Sequence, residues 1–155
     1  MSKYDVYLAG PWFHGNQPEI LDKVEKCLDS FGEDNLKIFS PRRETLVKPD
    51  AQEDARRQSF LGNVRHVKAS DFVVALVDDS DKGTLFECGI AYATEVPILY
   101  YSEKAESTPF NLMLAESCEK LGYVTNVNQL QERITEILSK GLDNMKAKRF
   151  EGEIE

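Results

Sequence analysis

The stretch Asp78-Asp79-Ser80-Asp81-Lys82-Gly83-Thr84, followed by Glu87, concentrates more potential chemistry than any other part of the chain. Carboxylates this dense suit proton transfer, nucleophilic attack or the binding of a hard cation. Cation binding fits less well, because the run lacks the full calcium-loop pattern, and a solvated loop with one functional carboxylate describes it better. The spacing leaves two roles open to Glu87. Thr84 is a reasonable helix N-cap and Glu87 stands three residues after it. That is the spacing of a capping box, in which Glu87 would only bond the Thr84 amide. Alternatively, the small residues Gly89, Ala91 and Ala93 let this helix press against a sheet and bring Glu87 to the strand ends as a catalytic carboxylate.

A second candidate is Gly10-Pro11-Trp12-Phe13, two large aromatic rings directly after a strand-like run. Flat rings there suit stacking on a heterocyclic base, and serve equally well as a cap on the core. Ser or Cys hydrolase chemistry is a poor fit, since His14 and His66 are the only histidines and neither belongs to a nucleophile motif. His14 adjoins the aromatic pair, whereas His66 falls on a helix and reads as a surface residue. Arg42-Arg43-Glu44 reads as a solvated charged loop. No Gly-rich phosphate-loop motif occurs. Cys27, Cys88 and Cys118 are odd in number and widely separated, which predicts reduced thiols and neither a disulfide framework nor a zinc site.

Positioning these residues requires alternating strands and helices. Tyr4–Ala9 is a short buried strand ended by Gly10-Pro11, and Pro18–Phe31 carries apolar residues at helical spacing up to Gly32. A second strand fits Leu36–Ser40, then a charged loop over 42–50 and a helix over Gln52–Ala69. The run Phe72–Val77 is continuously apolar, as in a central strand covered on both faces. Helix resumes at about Thr84, strands follow at Pro97–Tyr101 and Tyr123–Val124, and helices at Asn111–Glu119 and Val127–Ser139. This alternation predicts an α/β protein with a single-domain, doubly wound, mostly parallel sheet of about five strands. Ligands of such sheets bind beyond the carboxyl ends of the strands, which selects the loops after Ala9, Ser40 and Val77.

A length of 155 residues suits one domain, read as 1–141 with a charged tail over 142–155 that is either mobile or an arm on a neighbour. The formal net charge of -8 excludes nucleic acid and anionic membrane as favoured partners. No signal-peptide pattern and no stretch long and apolar enough to span a bilayer is present, which predicts a cytoplasmic protein.

Taken in order, Gly10-Pro11-Trp12-Phe13, a helix bearing Asn63, the Phe86-Glu87-Cys88-Gly89-Ile90-Ala91-Tyr92-Ala93 segment and Pro109-Phe110-Asn111-Leu112-Met113 resemble nucleoside 2-deoxyribosyltransferases over residues 4–118. The resemblance implies a flavodoxin-like fold and exchange of the base of 2′-deoxynucleosides for a free purine or pyrimidine, with no metal or cofactor. It implies Glu87 as the nucleophile that forms a covalent deoxyribosyl ester, Tyr7 as its orienting neighbour and Asp81 as proton donor. Gly10, Trp12, Phe13 and Asn63 are implied at the base. Asn111, with Met113 packed beside it, is implied to act in trans at the sugar 5′-hydroxyl of a neighbour in a dimer or hexamer, and the tail, by its resemblance to family tails over Phe150–Glu155, is implied to bring its terminal carboxylate near an active site. A related hydrolase of 2′-deoxynucleoside 5′-monophosphates is the nearest competing expectation, with Ser107 and Thr108 as possible phosphate donors. A non-catalytic nucleotide-binding module is the competitor from another class.

Overall fold

The structure is a computed structural model that describes residues 2–45 and 47–155; Leu46, within the 42–50 loop, lies outside the described residues. In chain order the elements are β1 (Tyr4–Ala9), α1 (Gln17–Asp29), β2 (Leu36–Phe39), α2 (Pro41–Glu44), α3 (Glu53–Ala69) and β3 (Phe72–Leu76). They continue with α4 (Lys82–Ala93), β4 (Ile98–Tyr101), α5 (Leu112–Ser117), β5 (Tyr123–Val124) and α6 (Val127–Lys140). The strands form a five-stranded sheet in the order β2-β1-β3-β4-β5, every neighbouring pair parallel. This is the expected doubly wound α/β fold. The strand order reverses between β1 and β3, so the loops after Ala9 and Val77 diverge there and leave a crevice.

Side chains alternate across each strand, and this alternation divides the core in two. Val6 and Leu8 point to one face, where they meet Leu21, Val24 and Leu28 of α1 and Leu130, Ile134 and Ile137 of α6. Tyr7 and Ala9 point to the other, against Val67 of α3, Cys88 and Ala91 of α4 and Ala115 of α5. All residues of β3 are buried, as its unbroken apolar run requires of a strand with helices on both sides. An odd-numbered position on β1 therefore faces α4, which is what places Tyr7 and Glu87 on one side of the sheet.

Three expectations change. Helix α4 begins at Lys82 and not at Thr84, because Asp81 takes the N-cap: its Oδ2 accepts from the Thr84 amide and from the Thr84 hydroxyl, both at 2.9 Å. Asp outranks Thr as a cap, and a charged acceptor at the positive helix end adds to that preference. The Arg42–Glu44 segment is not a solvated loop but most of α2. Glu25, 2% exposed, accepts from Ser40 Oγ at 2.9 Å, Arg42 Nη2 at 2.6 Å and Arg43 Nε at 3.2 Å. These bonds stitch the end of β2 to α1 and satisfy a carboxylate that would otherwise be costly to bury.

The tail is the third change, for it packs on its own chain. The Phe110 amide donates to the Glu153 carbonyl at 2.8 Å and the Glu155 amide returns to the Phe110 carbonyl at 3.2 Å. The Phe150 ring lies 5.0 Å from Phe110 and 5.2 Å from Tyr123. No helix among the described residues is long and apolar enough to cross a membrane.

Candidate active site

The shift in the start of α4 decides how Glu87 is used. With Asp81 as the cap, the N3 position belongs to Thr84, and Glu87 sits nearly a turn deeper, on the side of the helix that buries Thr84, Cys88 and Ala91. Its carboxylate is thereby removed from capping and turned towards the sheet. Close approach rests on Ala91 and not on Gly89 or Ala93, which are both exposed. Gly83 has a different use: a Cβ there would come within 3.3 Å of Asp81 Oδ2, so glycine leaves room for the cap.

Glu87 Oε2 and Tyr7 Oη are both buried, and neither has a hydrogen-bond partner among the described residues. Burial pushes the Glu87 carboxyl up to about 7; the Tyr7 hydroxyl opposes that rise and the charge of Asp81 adds to it. Burial and then the Glu87 charge drive the Tyr7 hydroxyl far above its ordinary range, so it stays protonated. The two groups thus act on each other although their geometry falls short of a hydrogen bond. A desolvated carboxylate titrating near neutrality beside an unpaired donor is costly to fold, and such arrangements cluster at functional sites.

Tyr7 is held from behind. Its ring lies 5.5 Å from Phe39, its register partner on β2, and Phe39 in turn stacks on His66 at 3.7 Å and 13°. His66 is exposed as expected, yet it closes this aromatic column, a contact that a sequence reading of one strand at a time does not find.

After β1, Trp12 and Phe13 have ring centroids 4.7 Å apart, with Trp12 half-buried against the core on the α1 and α6 side of the sheet and Phe13 60% exposed. They form a shelf with one apolar face open. Gly10 lies beneath it, where a Cβ would press on Leu76 at 3.2 Å, so this glycine serves close packing of the loop. Gln17 joins the shelf to the acidic loop: the Phe13 and His14 amides donate to its Oε1 at 3.1 and 3.0 Å, and its Nε2 donates to Asp79 Oδ2 at 3.0 Å. Nothing in the sequence singled Gln17 out; its place at the first turn of α1, four residues after Phe13, was the available signal.

The acidic run is divided among separate tasks. Asp78 accepts from Ser102 Oγ and from the Glu103 amide at 2.9 Å, tying the loop to the end of β4; Asp79 holds Gln17; and Asp81 caps α4. Asn63 sits on α3 and accepts from Thr45 Oγ1 at 2.7 Å, which anchors the loop after α2. The thiols of Cys27, Cys88 and Cys118 are free and buried, and burial raises all three, Cys88 to about 12. They are inert at neutral pH.

Asn111 and Met113 stand apart from this group. Asn111 caps α5 by accepting from the Met113 amide at 2.9 Å, which leaves its Nδ2 donors unused among the described residues. Both residues line a groove of about 700 Å³ between α4 and α5, with Leu85, Gly89, Tyr92 and Glu155, that neither Glu87 nor Tyr7 lines. Leu112, Met113 and Tyr92 are 50%, 75% and 57% exposed, a concentration of apolar surface.

The family model described as nucleoside 2-deoxyribosyltransferase matches residues 6–142. The chain belongs to this family. Membership places it among the enzymes of the deoxyribosyltransferase superfamily, with nucleosides as the implied class of substrate. Among solved structures, the 2-deoxyribosyltransferase of the psychrotolerant Bacillus psychrosaccharolyticus is 27% identical, with a TM-score of 0.71 over 82% of this chain and 90% of its own. A conserved protein of Enterococcus faecalis is 20% identical, with a TM-score of 0.70 over 88% of this chain and 98% of its own. A CMP N-glycosidase of Clostridium botulinum is 16% identical, with a TM-score of 0.56 over 84% of this chain and 97% of its own. The latter two speak to the fold alone. No curated protein matches the chain by sequence.

Proposed function

We propose that the protein exchanges the base of 2′-deoxynucleosides by double displacement on Glu87. The observation that carries this reading is the Glu87 carboxylate, desolvated, freed from helix capping and raised to about 7. Its ionised form attacks C1′ of the deoxynucleoside, the C1′–N bond breaks, and the departing base takes a proton from water, with Asp81 as the group that relays it. A nitrogen of the second base then attacks C1′, expels Glu87 and returns the proton. Two inversions give net retention. Glycosidic cleavage develops oxocarbenium character, which an adjacent carboxylate stabilises, and the missing 2′-hydroxyl makes that cation easier to form. Trp12 and Phe13 supply the stacking surface for the base, and Asn63 is the polar group implied at its edge. Neither step calls for a metal or other cofactor.

Hydrolysis of a 5′-monophosphate is the rival outcome. Ser107 and Thr108 both direct their hydroxyls at the Lys104 carbonyl, at 3.2 and 3.0 Å, which counts against them as phosphate donors. A net charge of -8 also favours an uncharged substrate. Incubation with deoxyinosine and adenine should yield deoxyadenosine and hypoxanthine. Free deoxyribose without deoxyadenosine would sink the transferase reading, and no turnover of either kind would favour a binding module.

The sugar end of the site is completed by a second copy, with Asn111 reaching the 5′-hydroxyl in trans from the exposed face of α5. Supporting this are its unused Nδ2 donors and the apolar surface around it. Glu87→Gln and Asn111→Ala variants, each inactive alone, should recover activity when refolded together. About a quarter of the sites in an equal mixture would carry both native residues. Absence of recovery would place the two residues in one chain's site.

A further inference from the structure

Gln17 projects into the crevice from the first turn of α1, at the end of the buried stripe Leu21, Val24 and Leu28. Gln17 is the first residue of the helix, and the loops on either side carry the two halves of the proposed site. One half is the Trp12-Phe13 shelf. The other is the turn Asp78–Asp81, whose last residue starts the helix that bears Glu87. The Gln17 side chain is the hydrogen-bonded link between them, across 62 positions of sequence.

The chemistry of that link is specific to a primary amide. Two backbone amides converge on Oε1 and one carboxylate receives Nε2, so the residue must accept and donate at once. A carboxylate could accept both amides but would face Asp79 with like charge. A lysine could pair with Asp79 but would leave the Phe13 and His14 amides without an acceptor. Asparagine is one methylene too short to span the gap.

We propose that Gln17 is the positioning residue that sets the distance between the base shelf and the nucleophile helix. This rests on the reading of Trp12 and Phe13 as the base platform and of Glu87 as nucleophile. Gln17 touches no reacting atom. It couples the two loops, so that a base seated on the shelf is held in register with the Glu87 carboxylate, and a loss of register lowers productive binding steeply.

The test is a charge-exchange cycle. Gln17→Glu alone should lower kcat/KM for base exchange by about 30-fold, because the new carboxylate repels Asp79 and the loops part. In an Asp79→Asn background the same Gln17→Glu change should cost less than about threefold, because the amide introduced at position 79 can donate to the carboxylate introduced at position 17. An equal cost in both backgrounds would overturn the proposal, since a merely structural role at position 17 predicts no such rescue. A second measurement needs no substrate. In Gln17→Met, the Phe13 and His14 amides should exchange with solvent at least about tenfold faster than in the native protein, with the Leu28 amide unchanged. Unchanged exchange at Phe13 and His14 would overturn the latch itself, whereas accelerated exchange in a protein without base-exchange activity would uphold the latch and dismiss only the reading of the site.

Discussion

Replacing Glu87 with glutamine is expected to abolish base exchange and, above neutral pH, to make the protein more stable. The loss of activity follows from removing the only proposed attacking atom, and roughly 10⁴-fold or more in kcat is the scale for such a deletion. The gain in stability follows from burial. The carboxyl has a folded-state value of about 7 against an ordinary 4.5, so the folded protein holds this proton more tightly than the unfolded chain does. Below pH 4.5 both states are protonated and the group is neutral in its effect. Between 4.5 and 7 the unfolded chain ionises first, so stability falls as pH rises, and above 7 the full penalty applies. That penalty is about 3 kcal/mol. Denaturant unfolding of both proteins at pH 4, 6 and 8 should therefore show curves that diverge upward in favour of the variant. A constant offset across that range would mean that the carboxylate is not desolvated. Persistence of base exchange would remove Glu87 from the mechanism altogether.

Tyr7→Phe should reduce kcat by roughly 10²-fold and move the acidic limb of the kcat/KM profile upward. Tyr7 is protonated throughout the useful range and opposes the rise of the Glu87 carboxyl, so its hydroxyl favours the ionised nucleophile. In the native protein, activity should rise with pH through about 7 as Glu87 ionises. Without the hydroxyl the same limb should lie higher, by roughly one unit, since hydrogen bonding to the charged form of a carboxylate lowers its pKa. Folding should not suffer below about pH 7, where Glu87 is protonated and the substitution removes a buried hydroxyl without a hydrogen-bond partner among the described residues; above that pH the further rise of the Glu87 carboxyl should cost about 1 kcal/mol of stability. A drop in activity with an unmoved pH profile would assign Tyr7 to the substrate and not to Glu87.

Much of this protein is legible before any coordinates. The strands Tyr4–Ala9 and Tyr123–Val124 stand where their β-branched, aromatic and apolar types put them, and the buried run in β3 announces a strand with two covered faces. Periodicity of this kind is a local property, which each segment expresses in its own residues. The sheet edge at which ligands would bind follows from the alternation of elements. The candidate residues Trp12, Phe13 and Glu87 follow from their positions after β1 and β3.

Other features were decided by competition or by distance. Whether Thr84 or Asp81 caps α4 is a contest between two adequate caps, and its outcome determines whether Glu87 bonds a backbone amide or is buried beside Tyr7. The Arg42-Arg43 pair looked solvated because its partner, Glu25, stands 17 and 18 residues earlier, on another element. The tail looked unattached because Phe110 and Tyr123, which hold Phe150, come from other parts of the chain. The sequence by itself determined the fold class and the pool of carboxylates and aromatic rings available for chemistry, because residue type and spacing act within a turn or a strand. Only the tertiary structure decided which carboxylate loses its water and which loops are joined, because desolvation and contacts such as Gln17 to Asp79 exist only once distant segments share one crevice.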